Sequence, residues 1–496
     1  MWLGKLFGRG THGPEKFGTK PLYFFNTLGK EKQLFTLPGG VHTVRMYNCG
    51  PTLYGRQHIG NLSMFVFADT LRRILEYNGF TVKQVINFTD FGHLSSDADE
   101  GDDKMTLGLK REKLSLTMEN MRKLAEKYAG IFLEDLTTLN VDTKKITFPY
   151  ASDYVQGQIA MIKTLEEKGY AYRGEDGVYF DTARFPRYGE LGGIDLAGLK
   201  KGARVVSRAS KRHPTDFVLW KSSAKLGWDS PWGEGFPGWH IECSAMIRAI
   251  LGEKIDIHTG GVEHIPIHHN NEIAQSESAT GKSPLSRFWI HRAHIQIDGG
   301  KIAKSVGNVI YLSPDVSEKY HPLALRYLFL GAHYRSAMNF TWESLEAAQT
   351  AFLRLRAFVD AHPVGGSTPL SYRDRIHERF NDDMDFAGAL AVLWEMVRDE
   401  NLSHADRRAG ILEADKVLGL GFDRSDERAR LVYAALFGER VSNDDLPDEI
   451  SDLVKRRNAA RKARNWEEAD TLRKEIEILG YSLEDSPEGL KVYKRS

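Results

Sequence analysis

VRMYNCGPTLYGRQHIGN, at residues 44–61, joins an apolar run to a turn and to the start of a helical pattern. Residues 44–49 predict a β-strand, and the stretch GPTLYGRQ predicts the turn after it. From Gly60 to Tyr77 apolar side chains recur on one side of a helix, which Asn78-Gly79 is suited to end. Residues 81–88 predict the next strand. This order indicates a parallel sheet with a right-handed crossover, whose ligands lie at the carboxyl ends of the strands.

A phosphate-binding site is predicted where the turn enters the helix. Helix N-termini present free N–H groups and a positive dipole end, and Gly60 lets a nucleotide approach the backbone. His58 and Asn61 can donate hydrogen bonds to phosphate oxygens. A second segment, Lys301-Ile302-Ala303-Lys304-Ser305, carries two lysines that would neutralise the charge developing as pyrophosphate leaves. Each segment alone is also typical of an ordinary loop, but the two together favour ATP chemistry.

The two cysteines, Cys49 and Cys243, lie at informative places. Because there are only two, disulfides are not the architecture, and we expect a cytoplasmic protein. Cys49 follows the first strand, and Cys243 lies in the segment GWHIEC. His268 and Glu272 are four residues apart and share one face of a helix. Two thiolates, an imidazole and a carboxylate are an acceptable zinc set, although structural cysteines and a surface ion pair are the alternative without a C-x-x-C motif.

The length and charge of the chain limit its possible architecture and partners. The 496 residues predict three or four structural units, and no apolar run reaches the ~18–20 residues of a membrane span. Lys+Arg and Asp+Glu are equal at 67 each, so a nucleic-acid partner must be argued from local patches. Residues 455–464 hold six basic and no acidic side chains, which suits phosphate contacts or a solvated helix face. The first twenty residues indicate a loose tail or a start codon assigned too far upstream.

Taken together, these segments resemble the cysteinyl-tRNA synthetases, a class I aminoacyl-tRNA synthetase family. The resemblance runs from about residue 22 onward, and it is carried by MYNCGPTLYGRQHIGN, VINFTD, GARV, DFVLWKSS, SPWGEGFPGWHIECSAM, HHNNEIAQSES, KIAKSVGN, LRYLFLGAHYRSAMNF and RNAARKARNWEEADTLRKEI. Three departures stand out. KIAKS replaces the family's KMSKS while keeping both lysines and the serine. The acidic stretch FGHLSSDADEGDDKM is longer than usual, and HTGGVEHIPIHH differs from the family's glycine-rich turn.

The resemblance implies a role for each candidate residue. The implied zinc ligands, for one ion per chain, are Cys49, Cys243, His268 and Glu272. The implied contacts to ATP, which brings Mg²⁺, are His58, Gly60, Asn61, Lys301, Lys304 and Ser305. Of these, the implied catalytic residues are His58, Asn61, Lys301 and Lys304. The implied contacts to cysteine are Thr89, Trp239 and His258, with Glu263 meeting the substrate amine where the family has aspartate.

The resemblance also implies an α/β fold of several parts. It consists of a Rossmann-type parallel-sheet catalytic core with an inserted connective module, an α-helical bundle and a small C-terminal anticodon-binding domain. The expected boundaries are 1–20 for the tail, 21–135 and 235–295 for the two halves of the core, 136–234 for the insertion, 296–347 for the KIAKS-loop and stem-contact region, 348–425 for the bundle, and 426–496 for the anticodon domain.

The implied activity is ATP-dependent activation of L-cysteine and its transfer to the 3′ end of tRNA(Cys). An apolar pocket discriminates poorly between cysteine and serine, whereas zinc binds thiolate well, so we expect the substrate thiolate to join the four protein ligands.

Trp466 and Tyr493 are candidates to stack on anticodon bases, or else they are core residues. We expect a monomer without membrane contacts. The alternatives are a cysteine:aminosugar ligase, which lacks the C-terminal region, and a non-catalytic zinc protein that binds RNA, which would not need His58, Lys301, Lys304 and Ser305.

Overall fold

The computed structural model describes residues 20–91, 94–96, 100–194, 211–223, 226–302, 307–442, 445–486 and 489–494. The first part of the chain forms a hairpin and half of a parallel sheet. Its elements are β1 (Tyr23–Asn26), β2 (Glu31–Leu34), β3 (Thr43–Asn48), α1 (Ile59–Tyr77), β4 (Thr81–Ile86), β5 (Leu94–Ser96), β6 (Glu100–Asp103), α2 (Lys104–Arg111), α3 (Met118–Thr138) and β7 (Ile146–Thr147). The strand–turn–helix–strand unit predicted from residues 44–88 is therefore confirmed.

An antiparallel module interrupts the parallel sheet. It contains α4 (Val155–Glu167), β8 (Ala171–Arg173), β9 (Gly177–Phe180), β10 (Phe217–Ser222) and β11 (Gly235–Pro237), with the strands in the order β11-β10-β9-β8. The chain then returns through α5 (Trp239–Ile250), β12 (Ile255–Gly261), α6 (Asn270–Thr280) and β13 (Ser286–Arg292). The main sheet has the order β13-β12-β3-β4-β7, and all its neighbouring strands are parallel. The predicted α/β class is confirmed.

The C-terminal part of the described chain is mainly helical. A small sheet of β14 (Ile295–Ile297), β15 (Gly300–Lys301) and β16 (Met338–Phe340) adjoins α7 (Pro322–Leu330). Five helices follow: α8 (Trp342–Ala361), α9 (Leu370–Asn381), α10 (Phe386–Arg398), α11 (His404–Leu418) and α12 (Glu427–Phe437). The chain closes with β17 (Glu439–Val441), α13 (Asp448–Lys462), α14 (Trp466–Ile478), β18 (Tyr481–Ser486) and β19 (Gly489–Lys494). The predicted domain boundaries stay a prediction.

Helix α1 is the central element of the molecule. Its apolar residues pack against the sheet on one side and against the helical bundle on the other, in cores that include Val44, Leu71 and Ile411. Burial on two sides explains why four polar side chains of this helix are also buried: Ser63, Asp69, Thr70 and Arg72. The N-terminus of α1 is thereby fixed at the carboxyl edge of the sheet. Within the described ranges, no helix has the length and apolarity needed to cross a bilayer.

A buried network of charges joins α1 to the bundle. Asp69 of α1 accepts hydrogen bonds from Arg73 and Arg326, at 2.7 Å each, and also pairs with Arg72. Arg326 of α7 in turn donates to the carbonyl oxygens of Leu418 (2.7 Å) and Leu139 (2.9 Å). Burial alone would raise the pKa of Asp69, but the surrounding guanidinium groups hold it well below its usual value. The carboxylate is therefore ionised, and it ties three parts of the chain together.

Candidate active site

A cleft of about 400 Å³ opens where β3 and β12 end. Its lining includes Cys49 and Trp239 near the main sheet, and His58 and Asn61 at the start of α1. The cleft therefore connects the predicted metal site with the predicted phosphate site. This position, at the carboxyl ends of parallel strands, is where open α/β sheets bind their ligands.

The four predicted zinc ligands converge at one end of this cleft. Cys49 follows β3, Cys243 lies on α5, and Glu272 lies in the first turn of α6. His268 belongs to a π-helical turn, Ile265–His269, directly before α6. One donor atom from each of the four residues lies within 4.8 Å of every other. Three separate stretches of sequence thus meet at a common point.

The distances between these donors suit a small cation. His268 Nε2 lies 2.9 Å from Glu272 Oε1 and 3.6 Å from Cys243 Sγ, and Cys49 Sγ lies 4.0 Å from Glu272 Oε1. Ligands bound tetrahedrally at 2.0–2.3 Å from zinc are about 3.3–3.8 Å apart. Small shifts of these side chains would reach that geometry. The donor set and its spacing therefore fit zinc.

Neighbouring groups orient two of the four ligands. His240 Nδ1 lies 2.8 Å from His268 Nδ1, and the Trp239 ring stacks on the His268 ring at 4.0 Å. His258 Nε2 lies 2.9 Å from Glu272 Oε2. The opposite donors, Nε2 of His268 and Oε1 of Glu272, are thereby left to face the thiols. Such partners fix the direction of metal ligands in known sites.

The site carries negative charge at neutral pH. The hydrogen bond from Cys49 outweighs burial and lowers the pKa of the Cys243 thiol to about 6, while burial raises the pKa of Cys49. Burial would raise the pKa of Glu272, but His258 and His268 lower it to about 2. Burial opposes a charge on His268, yet the Glu272 carboxylate raises its pKa to about 10. A metal ion would have to displace that proton, as expected for sites where binding and deprotonation are linked.

A second quartet overlaps the first. Cys49 and Glu272 also lie within 4.8 Å of donor atoms from His258 and His269. His269 Nε2 is 3.2 Å from Cys49 Sγ, and its Nδ1 is 2.7 Å from Nε2 of His291. His269 is not among the predicted ligands, because the prediction depends on the four-residue spacing between His268 and Glu272. The adjacent pair His268-His269 was the sequence signal that could have identified His269 as a second candidate ligand.

The other end of the cleft contains His58 and Asn61, two residues of the predicted phosphate site. His58 caps α1, and its Nδ1 accepts a hydrogen bond of 3.2 Å from the backbone N–H of Asn61. The neutral ring therefore carries its proton on Nε2, as a donor. A Cβ at Gly60 would lie 2.8 Å from the Ile302 side chain, so glycine keeps this approach open. The first turn of α1 contains no acidic residue.

The predicted lysine segment lies partly outside the described residues. Ile302 lines the cleft, and the backbone of Lys301 belongs to β15, which pairs with β14. Ala303, Lys304 and Ser305 are outside the described ranges. The roles of Lys301, Lys304 and Ser305 therefore stay predictions.

The four predicted substrate contacts divide into two pairs. Trp239 and Glu263 line the cleft, and Glu263 Oε2 lies 3.4 Å from His294 Nδ1. Thr89 and His258 are buried. His258 lies behind Glu272 rather than at the cleft surface, so its contact with a substrate stays a prediction.

Thr89 instead contacts a carboxyl group that was not predicted from the sequence. Its Oγ1 donates a hydrogen bond of 2.9 Å to Glu242, which is itself fully buried. Burial and the neighbouring Cys243 raise the pKa of Glu242 well above its usual value. Glu242 lies in the segment GWHIEC beside Cys243, but the sequence gives no sign that its carboxyl group faces Thr89.

At the C-terminal end, the structure separates the two candidate stacking residues. Trp466 is 56% exposed, and the Arg461 guanidinium lies 5.5 Å from its ring. Tyr493 is buried and donates a hydrogen bond of 2.6 Å to Glu484. Arg457, one of the six basic residues of the predicted patch, is also buried and pairs with Asp485. Of the two candidate stacking residues, Trp466 is therefore the accessible one.

Comparison with known proteins gives two family matches. A model of the class I (C) tRNA synthetase catalytic domain matches residues 37–350, and a model of the cysteinyl-tRNA ligase anticodon-binding domain matches residues 443–492. Cysteine–tRNA ligase 1 of Burkholderia lata is 43% identical over 479 residues, covering 95% of this chain and 97% of the relative. Cysteine–tRNA ligase of Chlamydia muridarum is 38% identical over 496 residues, covering 95% and 99%.

Solved structures agree on the fold. Methionyl-tRNA synthetase of Mycobacterium tuberculosis, bound by methionyl-adenylate, has a TM-score of 0.54. The match covers 79% of this chain and 94% of the methionyl-tRNA synthetase chain. The sequence identity is 13%, so the likeness concerns the fold alone.

Proposed function

The chain belongs to the cysteine–tRNA ligase family of class I aminoacyl-tRNA synthetases, and from this premise we propose that it activates L-cysteine with ATP and transfers it to tRNA(Cys). One observation carries the proposal. The cleft that begins at Cys49, one of the four converging metal-ligand candidates, also reaches His58 and Asn61 at the N-terminus of α1. A single cleft can thus hold a thiol at one end and phosphates at the other.

Cysteine would be selected at the sulfur end. Zinc held by Cys49, Cys243, His268 and Glu272 would bind a thiolate far better than a hydroxyl, which distinguishes cysteine from serine. The Trp239 ring, stacked on His268, forms a wall of the cleft beside these ligands. Glu263 lies at the rim with its carboxylate half exposed, where it suits an ammonium group.

Activation would occur at the phosphate end. The cysteine carboxylate attacks the α-phosphorus of ATP, a new P–O bond forms, and the bond to the leaving pyrophosphate breaks. His58 and Asn61 would hold the phosphates at the positive end of α1, and Lys301 and Lys304 would neutralise charge on the leaving group. A ribose hydroxyl at the 3′ end of tRNA then attacks the carbonyl carbon of the adenylate, and AMP leaves.

An exchange assay tests this proposal directly. Cysteine is expected to drive ATP–pyrophosphate exchange, whereas serine at the same concentration is not, because only the thiol is a good metal ligand. In the second step, tRNA is expected to accept the cysteine and an aminosugar is not. Exchange without cysteine selectivity would contradict the metal assignment, and transfer to the aminosugar would contradict the acceptor assignment.

Replacement of Trp466 by alanine is expected to raise the KM for tRNA about 5- to 150-fold, because base–aromatic stacking contributes about 1–3 kcal/mol. Cysteine-dependent exchange should not change, since Trp466 belongs to α14 and the exchange chemistry to the cleft. Ile478→Ala is the matched control, because Ile478 is 85% exposed at the other end of α14. An unchanged KM for tRNA in Trp466→Ala would remove this residue from the proposed interface.

A further inference from the structure

A buried cation lies beneath the first turn of α1. Arg292 ends β13 and pairs in register with Gly261 at the end of β12, at the edge of the sheet that forms the cleft. It is only 5% exposed, and its guanidinium carbon lies 5.9 Å from the Phe329 ring of α7. The side chain therefore occupies a slot between the sheet, α1 and α7.

This cation has no acidic counterpart in the described part of the chain. Burial lowers the pKa of Arg292 to about 10, and no neighbouring carboxylate opposes that effect. The group is still charged at neutral pH. A buried charge without a partner destabilises a folded protein, and an apolar side chain of the same length would fill the slot at lower cost. Such a charge is therefore better explained by an anion that is absent from the protein itself.

A short chain of hydrogen bonds connects Arg292 with the predicted phosphate site. Its Nε donates to Ser63 Oγ at 3.1 Å, and Ser63 Oγ donates to the carbonyl oxygen of Gly60 at 2.7 Å. Gly60 lies in the helix turn that His58 caps. The guanidinium thus adds a fixed positive charge to a helix N-terminus whose first turn has no acidic residue.

We propose that Arg292 is a positioning residue for the nucleotide: it holds the first turn of α1 through Ser63 and attracts the phosphates of ATP to that turn. The proposal rests on the function proposed above. The effect is electrostatic and specific to the phosphate end of the cleft. Neither the metal ligands nor the cysteine contacts include Arg292.

Arg292→Met tests the charge while keeping the length of the side chain. The KM for ATP in cysteine-dependent exchange is expected to rise about tenfold, corresponding to about 1.4 kcal/mol of lost attraction. The KM for cysteine and the zinc content should stay the same. The melting temperature should be equal or higher, because an unpaired buried charge has been removed. A residue with a merely structural role would lower the melting temperature instead.

Two further variants complete the test. Arg292→Lys should restore the KM for ATP to within about threefold of the original value, since it keeps the charge. Arg287→Met removes a cation from the opposite end of the same strand, where Arg287 lies near Asp256, and should leave this KM unchanged. An unchanged KM for ATP in Arg292→Met would overturn the proposal. If the unsubstituted protein shows no cysteine-dependent exchange, the proposed function fails first.

Discussion

Replacement of Cys243 by serine is expected to remove bound zinc and to lower kcat/KM for cysteine-dependent exchange on the order of a thousandfold. Serine keeps the size of the side chain, but its hydroxyl is a poor ligand that does not ionise near neutral pH. The hydrogen bond from Cys49 lowers the pKa of the Cys243 thiol, which favours the thiolate that a metal ion would bind. Metal analysis of the purified protein and the exchange assay measure the two effects.

Met246→Leu is the matched control for this substitution. Met246 lies on the same helix, α5, and is fully buried, so the change tests a core replacement that nearly keeps the volume of the side chain at a residue that is not itself a candidate ligand. Zinc content and exchange should both be retained. If Cys243→Ser also retained one zinc per chain and cysteine selectivity, the quartet proposed here would be wrong.

The two overlapping quartets can be told apart by their histidines. His268→Ala should lose zinc, whereas His269→Ala should keep it, because only His268 faces both Cys243 and Glu272. The opposite result would assign the metal to Cys49, His258, His269 and Glu272.

Asp69→Ala is expected to destabilise the protein by about 3–5 kcal/mol, the usual cost of leaving a buried charge without its partner. The substitution leaves Arg326 and Arg72 without their shared carboxylate, and both are almost inaccessible to solvent. Denaturant unfolding monitored by fluorescence measures the loss. Because the folded state lowers the pKa of Asp69, its contribution is present above the unfolded pKa of about 3.9 and is lost as the pH falls further.

The control for Asp69 is an ion pair of the same type at the surface. Glu119 and Lys123 are spaced i,i+4 on α3 and are both exposed, so Glu119→Ala should have little effect on unfolding. The double variant Asp69→Leu with Arg326→Met should recover part of the lost stability, since it removes both of these charges from the core. A small effect of Asp69→Ala would show that the charged network does not hold α1 against the bundle.

The sequence predicts the bounds of helices and strands well where residues within the same element determine them. The helix predicted from Gly60 to Tyr77 and the strands beside it are found within two residues of their predicted ends, because turn chemistry and apolar spacing both act locally. The burial of Tyr493 was left open, since an aromatic residue near the end of a chain suits a core as well as a surface. Only the packing of β19 against α12 decides it, through Tyr433.

The site itself was predictable only in part. Spacing alone suggested that His268 and Glu272 share a face, and residue chemistry made Cys49 and Cys243 acceptable partners, but only the resemblance to a known family favoured this set over structural cysteines. The hydrogen bond between His258 and Glu272, and the one between Thr89 and Glu242, depend on how distant strands and helices meet. No local rule encodes such contacts, so these buried partners emerge only from the folded chain.

The π-helical turn at Ile265–His269 affects which insertions and deletions the segment before α6 can tolerate. Two adjacent imidazoles flank one carboxylate, and each is close to a different cysteine. One residue inserted between His269 and Glu272 would bring His269 to the position that His268 now holds relative to Glu272, and one residue deleted there would bring His268 to the position of His269, since each residue of a helix advances it by about 100°. Insertions and deletions beside a metal site usually abolish binding, yet at this turn they could leave an equivalent set of donor atoms in place.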